Sequence, residues 1–360
     1  PFRDAFAGKK LFHVKNPLFN IVVRRKKRFC GEFSLHFKGL FIIPLFQDFV
    51  NLFLCRFMRL QNFFPHAIIN GMDNLLKSCR LCPVECGANR LIGAGACGVR
   101  GLKIAKYYLH PFEEPCISFK KGSGTIFFCG CNLRCVFCQN YEVSHAQRGK
   151  DVTPRELADI FRELEAAGAD NISLVTPSHV VPYLIAAFEI YRPKIPVVYN
   201  SGGYEKVETL AMIEPYIDIW LPDLKFFSPF LSERYTGRKD YFEKASRALL
   251  FMAEKPLSFD GEGKMLSGVI VRHLVMPLGT SDSISLLKWF KNHMPESAYL
   301  SLMSQYTPFG KIDKFPELKR PVTAREYERV EEEAFALGIK NLFIQKRSSS
   351  GESYIPKWDY

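Results

Sequence analysis

From residue 124 to residue 344, short apolar runs alternate with segments whose apolar residues recur every three or four positions. The runs predict buried strands and the recurring positions predict amphipathic helices. The predicted strands are 125–128, 171–175, 196–199, 218–221, 268–275, 299–303 and 340–344, and the predicted helices are 153–168, 180–191, 207–216, 241–254, 283–292 and 323–337. Strict alternation predicts a parallel sheet with helical crossovers, an α/β fold forming an open or partly closed barrel.

Polar residues follow the carboxyl ends of most predicted strands. They are the cysteine loop 130–140 after the first strand, Thr176–His179 after the second, Asn200–Gly203 after the third, Asp223 and Lys225 after the fourth, and Gln305 and Tyr306 after the sixth. Turns are usually polar, but that alone does not explain so many reactive side chains at one edge. Active sites of (βα) barrels lie at this edge. On the fifth strand Arg272 and His273 alternate, and we expect Arg272 to face the barrel interior.

The cysteines are crowded into one part of the chain. Nine of the 11 lie between Cys79 and Cys138, and none follows. A secreted disulfide scaffold spreads its cysteines through a short chain, so the crowding indicates metal binding in a reducing, cytoplasmic compartment. Cys131, Cys135 and Cys138 have a C-x3-C-x2-C spacing. Three thiolates on one tight loop can hold three irons of a [4Fe–4S] cluster and leave the fourth iron open for a small molecule.

A second cysteine set precedes the first. Cys79, Cys82, Cys86 and Cys97 have a C-x2-C-x3-C-x10-C spacing in a glycine-rich context. Four thiolates suit zinc or a second iron–sulfur cluster, and spacing does not separate the two. A reduced loop without metal is the alternative. Cys116 and Cys129 lie outside both sets, and we expect them to be buried thiols.

The basic charge is concentrated at the start of the chain. The net charge is +12 over 360 residues, but residues 1–71 carry 12 Lys and Arg against 3 Asp and Glu. We interpret 1–71 as a non-native or disordered basic leader, with a membrane anchor or a nucleic-acid-binding arm as alternatives. The predicted domains are then the leader, a Cys-rich metal-binding segment at 72–115, a barrel at 116–346 and a polar tail at 347–360. We expect neither a membrane nor nucleic acid as a partner.

Four phrases resemble the radical SAM superfamily and, more narrowly, its pyruvate formate-lyase activating enzyme-like group. They are FFCGCNLRCVFCQN at 127–140, LVTPSHVVP at 174–182, YNSGGYE at 199–205 and IVRHLVMP at 270–277. The resemblance covers residues 72–345. It implies a partial (βα)6 TIM-like barrel of the radical SAM type with an N-terminal Cys-rich segment.

The resemblance also implies a mechanism. Cys131, Cys135 and Cys138 would bind the [4Fe–4S] cluster, and S-adenosylmethionine (SAM) would chelate its fourth iron. The reduced cluster would cleave SAM to a 5′-deoxyadenosyl radical, which takes a hydrogen atom from a substrate. An electron donor such as flavodoxin or ferredoxin would supply the electron. The substrate is open, and a glycine of a partner protein is the activase-like option.

Most members of the group place a Gly-Gly-Glu-type turn after the second strand, where this chain has Thr176-Pro177-Ser178-His179. We expect Thr176 or Ser178 to accept a hydrogen bond from the amino group of SAM. His179 either contacts the carboxylate of SAM or caps a helix. The other residues that the resemblance assigns to cofactor binding are Phe137, Gln139, Asn140, Asn200, Ser201, Gly202, Asp223, Lys225 and Arg272.

Two further functions are weighed against this one. The first is a non-catalytic iron–sulfur or zinc protein for electron transfer or structure, and the lack of a fourth cysteine in the loop argues against it. The second is a radical SAM enzyme that modifies nucleic acid or a small molecule. The remaining residues carry 37 Lys and Arg against 34 Asp and Glu, so the near-neutral body argues against nucleic acid.

Overall fold

The computed structural model describes residues 12–16, 19–23, 74–145 and 148–345. The chain divides into two compact units, residues 1–64 and 65–360. In the first unit, β1 (Phe12–Asn16) pairs antiparallel with β2 (Phe19–Val23). The rest of the predicted leader, including its boundary at Met72, and the tail at 347–360 lie outside the described residues.

The second unit alternates strands and helices. Its strands are β3 (Lys103–His110), β4 (Ser123–Phe128), β5 (Lys150–Asp151), β6 (Ile172–Val175), β7 (Val197–Ser201), β8 (Ile219–Pro222), β9 (Ser258–Phe259), β10 (Met265–Leu274), β11 (Tyr299–Met303) and β12 (Leu342–Ile344). Its helices are α1 (Tyr141–Ser144), α2 (Pro154–Ala166), α3 (Val181–Ile190), α4 (Val207–Ile213), α5 (Pro229–Thr236), α6 (Tyr241–Met252), α7 (Thr280–His293) and α8 (Ala324–Ala336). Every helix in the described part of the chain falls short of the length and apolar content of a membrane span.

One ten-stranded sheet contains β3 to β12. Its strands follow the order β12-β11-β10-β8-β7-β6-β4-β3-β5, and β9 pairs antiparallel with β10 outside this path. Along the path, the pairs from β4 to β12 are parallel. Strand β3 pairs antiparallel with β4 and with β5. The order is linear, so the fold is a partial (βα)6 TIM-like barrel, as predicted. The parallel pairing brings the carboxyl ends of these strands to one edge.

Two of the helices begin at capping boxes, which can be recognised in the sequence. In α2 the Thr153 side chain accepts a hydrogen bond from the Glu156 amide and the Glu156 carboxylate accepts one from the Thr153 amide, and Thr323 and Glu326 repeat this box at α8. Along β7, Val197 and Tyr199 pack in the core beneath the helices, while Val198 lies in a separate cluster on the inner face of the sheet. The alternation therefore separates a helix-facing core from a barrel interior.

The connection from β3 to β4 fills part of the barrel interior. Cys116 and Ile117 pack with Val198, Leu221 and Ile270 on the inner face. The Met265 amide donates a 2.8 Å hydrogen bond to the carbonyl of Cys116. Cys116 and Cys129 are both buried free thiols, at 8% and 0% exposure. The connection therefore places the residues next to Cys116 beneath the edge of the sheet where the parallel strands end.

Three features differ from the sequence prediction. Strand β3 lies in the predicted Cys-rich segment but belongs to the sheet, because its partner is β4. Helix α5 was not predicted because it is short, although Ser228 caps it and Pro229 opens it. Strand β7 continues through Asn200 and Ser201, which pair with Leu221 and Pro222. Pairing with β8 therefore keeps these two polar residues in the strand.

Candidate active site at the carboxyl edge of the sheet

A cavity of about 260 Å³ opens at the edge where the parallel strands end. The predicted site residues in its lining are Cys131, Cys135, Phe137, Cys138, Gln139, Asn140, Thr176, Asn200, Ser201, Gly202, Asp223, Lys225 and Arg272. They come from five separate segments of the chain, so only the fold brings them together. Ser178 and His179 are absent from this lining.

The cysteine loop is fixed at both ends by backbone contacts. The Cys131 amide donates a 3.2 Å hydrogen bond to the Cys97 carbonyl, and the Val136 amide donates a 2.9 Å bond to the carbonyl of Tyr235 in α5. Gly130 has a φ of 85°, and a Cβ there would lie 2.7 Å from the Cys97 oxygen. Only glycine fits this conformation and approach. The loop is therefore held between the Cys-rich segment and the barrel.

Phe137 packs inside the loop rather than extending from it. Its ring makes edge contacts with Phe226 at 6.0 Å and Tyr306 at 6.4 Å between centroids. The side chain is 7% exposed and lines the cavity. Core packing and shielding of the cavity are therefore both roles of this ring.

Asp223 lies between two cations that are mostly, but not fully, buried. The Arg272 Nε donates a 2.8 Å hydrogen bond to Asp223 Oδ1, and the Lys225 ammonium donates a 2.6 Å bond to Oδ2. Burial by itself would raise the pKa of Asp223, but Arg272 and Lys225 outweigh it and lower the pKa below its ordinary value. Burial would lower the pKa of Lys225, but Asp223 and then Cys135 raise it. The cavity thus holds an ionised aspartate with two ordered cations, one of them close to a cysteine.

Asn200 links this cluster to an acidic pair that the sequence analysis did not assign. The second Arg272 nitrogen donates a 2.6 Å bond to Asn200 Oδ1, and the Asn200 amide donates a 3.4 Å bond to Glu113. Glu113 also pairs with Arg272 at 3.6 Å. Burial raises the pKa of Glu113, and it raises that of Glu114 to about 7. The signal in the sequence was an acidic pair just before the apolar Cys116 and Ile117.

Thr176 has a backbone conformation unusual for its type. Its φ is 61°, in the left-handed region that β-branched residues rarely adopt, and its amide bonds the Asn200 carbonyl at 2.9 Å. The family turn at this place is glycine-rich. Strain that the surrounding structure holds in place is typical of functional sites, and here it lies in the cavity lining.

The structure corrects the expectation for Ser178 and His179. The ring of His179 is buried, and its Nε2 lies 2.7 Å from the carbonyl oxygen of Cys129. Burial and then Arg90 lower its pKa to about 3, so the ring is neutral. Ser178 donates a hydrogen bond to the buried carboxyl of Glu205. The 3-10 helix at Ser178–Val180 turns both side chains away from the cavity and behind the sheet.

Glu205 is a further buried acid that sequence reasoning missed. Its carboxyl accepts hydrogen bonds from Ser178 and, at 3.2 Å, from the Tyr199 hydroxyl. Burial raises its pKa to about 7. These hydroxyl partners leave the carboxyl without the cation that would keep it ionised at lower pH.

A family model for the radical SAM superfamily matches residues 125–259, from β4 to β9. The uncharacterized protein MJ0674 of Methanocaldococcus jannaschii is 30% identical over 265 residues, which cover 71% of this chain and 74% of that protein. The chain belongs to the radical SAM superfamily. It is a radical SAM enzyme, and the family uses a [4Fe–4S] cluster and SAM.

Solved structures of other radical SAM proteins resemble the chain more distantly. Streptococcus suis SuiB bound to S-adenosylmethionine is 14% identical with a TM-score of 0.41, over 60% of this chain and 47% of that chain. A domain of the pyruvate-formate lyase-activating enzyme from Bacteroides vulgatus is 13% identical with a TM-score of 0.31, over 54% of this chain and 91% of that one. The chain spans about half the length of the SuiB structures.

The barrel thiols fit a cluster of the radical SAM type. The Leu133 amide donates to the Cys131 sulfur at 3.4 Å, and the Asn140 amide and the Ser144 hydroxyl lie against the Cys138 sulfur. Burial raises the pKa of Cys135 to about 12, so only a strong positive charge such as iron would make this thiol ionise at pH 7. Among the described residues, no three His, Cys, Asp or Glu side chains converge as a single metal ion requires. Ligands spread around a space suit separate irons of one cluster.

The second cysteine set lies together beside the loop of this radical SAM barrel. Cys79, Cys82 and Cys97 are buried, and Cys86 is exposed. Burial raises the pKa of Cys82 to about 12. Burial would also raise the pKa of Cys86, but the amides of Ala96 and Ala88 lower it. The position of Gly95 lies between two of these sulfurs, since a Cβ there would be 3.4 Å from the sulfur of Cys86 and 3.5 Å from that of Cys97.

Proposed function

We propose that this radical SAM enzyme abstracts a hydrogen atom from a glycine of a partner protein, in the manner of glycyl radical enzyme activases. The observation that carries the proposal is the cavity that three cysteine thiols line together with the Asp223 cluster. In this reading Cys131, Cys135 and Cys138 hold the [4Fe–4S] cluster. When bound, the cluster and SAM supply the radical that takes the hydrogen atom.

The chain's own residues then bind and orient the cofactor. Lys225 lies within electrostatic range of Cys135 and is fixed by Asp223, so it places a positive charge between the thiols and the acidic side of the cavity. Asn200 and Thr176 present polar atoms from neighbouring strands, where they can bind the amino and carboxylate groups of SAM. Phe137 covers the cluster loop and excludes water from it.

The rim of the cavity favours a macromolecular substrate. Phe112 lines the cavity and is exposed, and two other lining residues, Phe226 and Met276, are followed within four residues of sequence by the exposed Phe230 and Leu278. Phe230 is 69% exposed and Leu278 is 72% exposed. Exposed apolar residues around a cavity are typical of surfaces that bind another protein. We propose that a glycine-bearing segment docks there.

A reducing compartment and a one-electron donor complete the proposal. The nine cysteines that the structure describes are all free thiols. This supports a cytoplasmic location, where thiols stay reduced. The donor would be a flavodoxin or ferredoxin.

Deuterium transfer tests the proposal. Protein extract from cells grown on [2,2-²H2]glycine is incubated anaerobically with the reconstituted enzyme, SAM and dithionite. We expect deuterium in the released 5′-deoxyadenosine, and none of this product from the Cys135→Ala variant. Product that carries no deuterium would overturn glycine as the hydrogen donor. Full product from Cys135→Ala would overturn the site itself.

A small molecule with a cationic group is the second candidate. The carboxyl groups of Glu113, Glu114 and Asp223 lie within electrostatic range of one another, against the two cations Arg272 and Lys225. An excess of acid in a buried site favours a cationic ligand. This function predicts that lysine, ornithine or spermidine stimulates 5′-deoxyadenosine release in the wild type. The Glu113→Gln variant would lose that stimulation while still binding SAM.

A further inference from the structure

The Cys-rich segment folds around a space bounded by sulfur atoms. Gly95 lies at that space, where a Cβ would be 3.4 Å from the Cys86 sulfur and 3.5 Å from the Cys97 sulfur. The Cys79 thiol interacts electrostatically with Cys86 and Cys97, and Cys82 interacts with Cys79 and Cys97. All four sulfurs therefore belong to one cluster, and a side chain at position 95 would occupy the space between two of them.

Backbone amides point at three of these four sulfurs in a repeated pattern. Cys79 accepts a hydrogen bond from the amide of Leu81, Cys82 from that of Val84, and Cys86 from that of Ala88. Each donor is two residues after its cysteine. The barrel loop repeats the pattern, with Leu133 donating to Cys131 and Asn140 to Cys138. An amide aimed at sulfur stabilises a negatively charged thiolate more than a neutral thiol.

A buried cation accompanies the four thiols. The Arg90 side chain is 0% exposed, and it donates hydrogen bonds to the carbonyls of Val99, Gly101 and His179. Among the described residues, it has no carboxylate within ion-pair distance. Its electrostatic neighbours include Cys79 and Cys86. A buried charge needs an opposite charge nearby, and an anionic thiolate centre supplies one.

We propose that Cys79, Cys82, Cys86 and Cys97 hold a second iron–sulfur cluster, of the [4Fe–4S] class, with Arg90 balancing its charge. The four sulfurs lie around one space, with backbone amides donating to three of them and a buried cation beside them. A cubane cluster takes four such thiolates, one at each iron.

The position of this centre also gives it a role. The Cys131 amide bonds the Cys97 carbonyl at 3.2 Å, so ligand residues of the two sets are one hydrogen bond apart. Cys86 is exposed and faces outward from the same set. A cluster held by this set would relay one electron from a reduced flavodoxin or ferredoxin, which is oxidised by one electron, to the cluster held by Cys131, Cys135 and Cys138. The electron relay depends on the function proposed for the barrel site, whereas the presence of a second cluster does not.

Metal analysis tests the site. The full chain and its variants are reconstituted anaerobically with iron and sulfide, and iron, sulfide and zinc are measured. We expect roughly eight irons in the wild type and four each in Cys79→Ala/Cys82→Ala and in Cys131→Ala/Cys135→Ala/Cys138→Ala, because each cubane holds four. The matched control, Cys116→Ala/Cys129→Ala, removes two buried cysteines outside both sets and keeps the wild-type content.

Two results would overturn the second cluster. One is wild-type iron content in the Cys79→Ala/Cys82→Ala variant. The other is zinc in the wild type that disappears in that variant without loss of iron. Cys86→Ala, at an exposed position, repeats the measurement in case the double variant does not fold. If the Cys131→Ala/Cys135→Ala/Cys138→Ala variant contains four irons, the second site is confirmed, even if the function proposed for the barrel site is wrong.

Electron paramagnetic resonance tests the relay. In the reduced Cys131→Ala/Cys135→Ala/Cys138→Ala variant, we expect the signal of the second cluster alone. SAM should not change this signal, because four thiolates leave no iron of that cluster open. In Cys79→Ala/Cys82→Ala, we expect loss of barrel-cluster reduction by reduced flavodoxin, while dithionite, a small reductant, still reduces it. Unchanged reduction by flavodoxin would overturn the relay.

Discussion

Arg272 and Asp223 form an isolated bridge between two strand ends, and the Arg272 Nε donates to Asp223 Oδ1 over 2.8 Å. Both side chains are 17% exposed. The pair joins β10 to the end of β8 and sets the positions of Asn200 and Lys225. It therefore couples the stability of the barrel edge to the arrangement of the cavity.

Asp223→Asn removes the carboxylate that lies between two mostly buried cations. We expect the free energy of unfolding to fall by about 3 to 5 kcal/mol, because Arg272 and Lys225 lose their buried partner. Urea denaturation measures the change. Asp159→Asn is the control, since its pair with Arg162 is exposed and contributes about 1 kcal/mol at most. Equal losses in the two variants would contradict this account.

Thr176→Gly relieves the left-handed strain in the cavity. We expect the free energy of unfolding to rise by about 1 kcal/mol, since glycine adopts this conformation freely. SAM binding should weaken about fivefold, because the variant loses one hydroxyl hydrogen bond. Thermal unfolding and equilibrium dialysis with SAM measure the two effects.

Leu278→Gly is the matched control for this variant. Leu278 also has a positive φ, of 59°, but it is exposed and lies outside the cavity lining. It should gain similar stability and keep its affinity for SAM. If both variants lost SAM affinity equally, the hydroxyl of Thr176 would have no part in binding.

Glu205→Gln tests the buried carboxyl behind the sheet. Burial raises the pKa of Glu205 from 4.5 to about 7, so between these pH values the folded protein binds a proton that the unfolded chain has released. The wild type therefore loses stability as pH rises through this window, by about 3 kcal/mol in total. Gln at position 205 cannot ionise, so the variant should lose less stability over the same pH range.

The measurement is the difference in unfolding free energy between variant and wild type at pH 5 and at pH 8. Glu114, whose pKa is also about 7, is present in both proteins and cancels in this difference. A difference that does not change with pH would show that Glu205 titrates normally.

Gly203→Ala tests the close approach of two strand ends. Gly203 has a φ of 79°, and a Cβ there would lie 2.1 Å from the Asp223 carbonyl oxygen. Gly237 has a similar φ of 71° but nothing within 4 Å. We expect Gly237→Ala to cost about 1 to 2 kcal/mol from backbone conformation alone. Gly203→Ala should cost clearly more, because β8 must also move. Similar values from chemical denaturation would rule out the steric cause.

The sequence predicted most elements and the thiol set, and the reasons are local. Capping boxes at Thr153 and Thr323 and the 3.6-residue spacing give the helices without any tertiary information. The end of β7 was misplaced because Asn200 and Ser201 are polar and are held in the strand by β8. Ser178 and His179 were assigned to the cavity because they follow a strand, but a 3-10 helix turns them behind the sheet.

By itself, the sequence determined the α/β alternation, the two cysteine sets and the strand ends that carry polar residues, since these depend on spacing along the chain. Tertiary structure alone decided that Glu113 enters the barrel, because its contacts with Asn200 and Arg272 join residues far apart in the chain. It also placed Cys97 against Cys131 and buried Arg90 among the thiols. Spacing along a chain cannot encode which distant backbone groups meet, and that meeting brings the two cysteine sets next to each other.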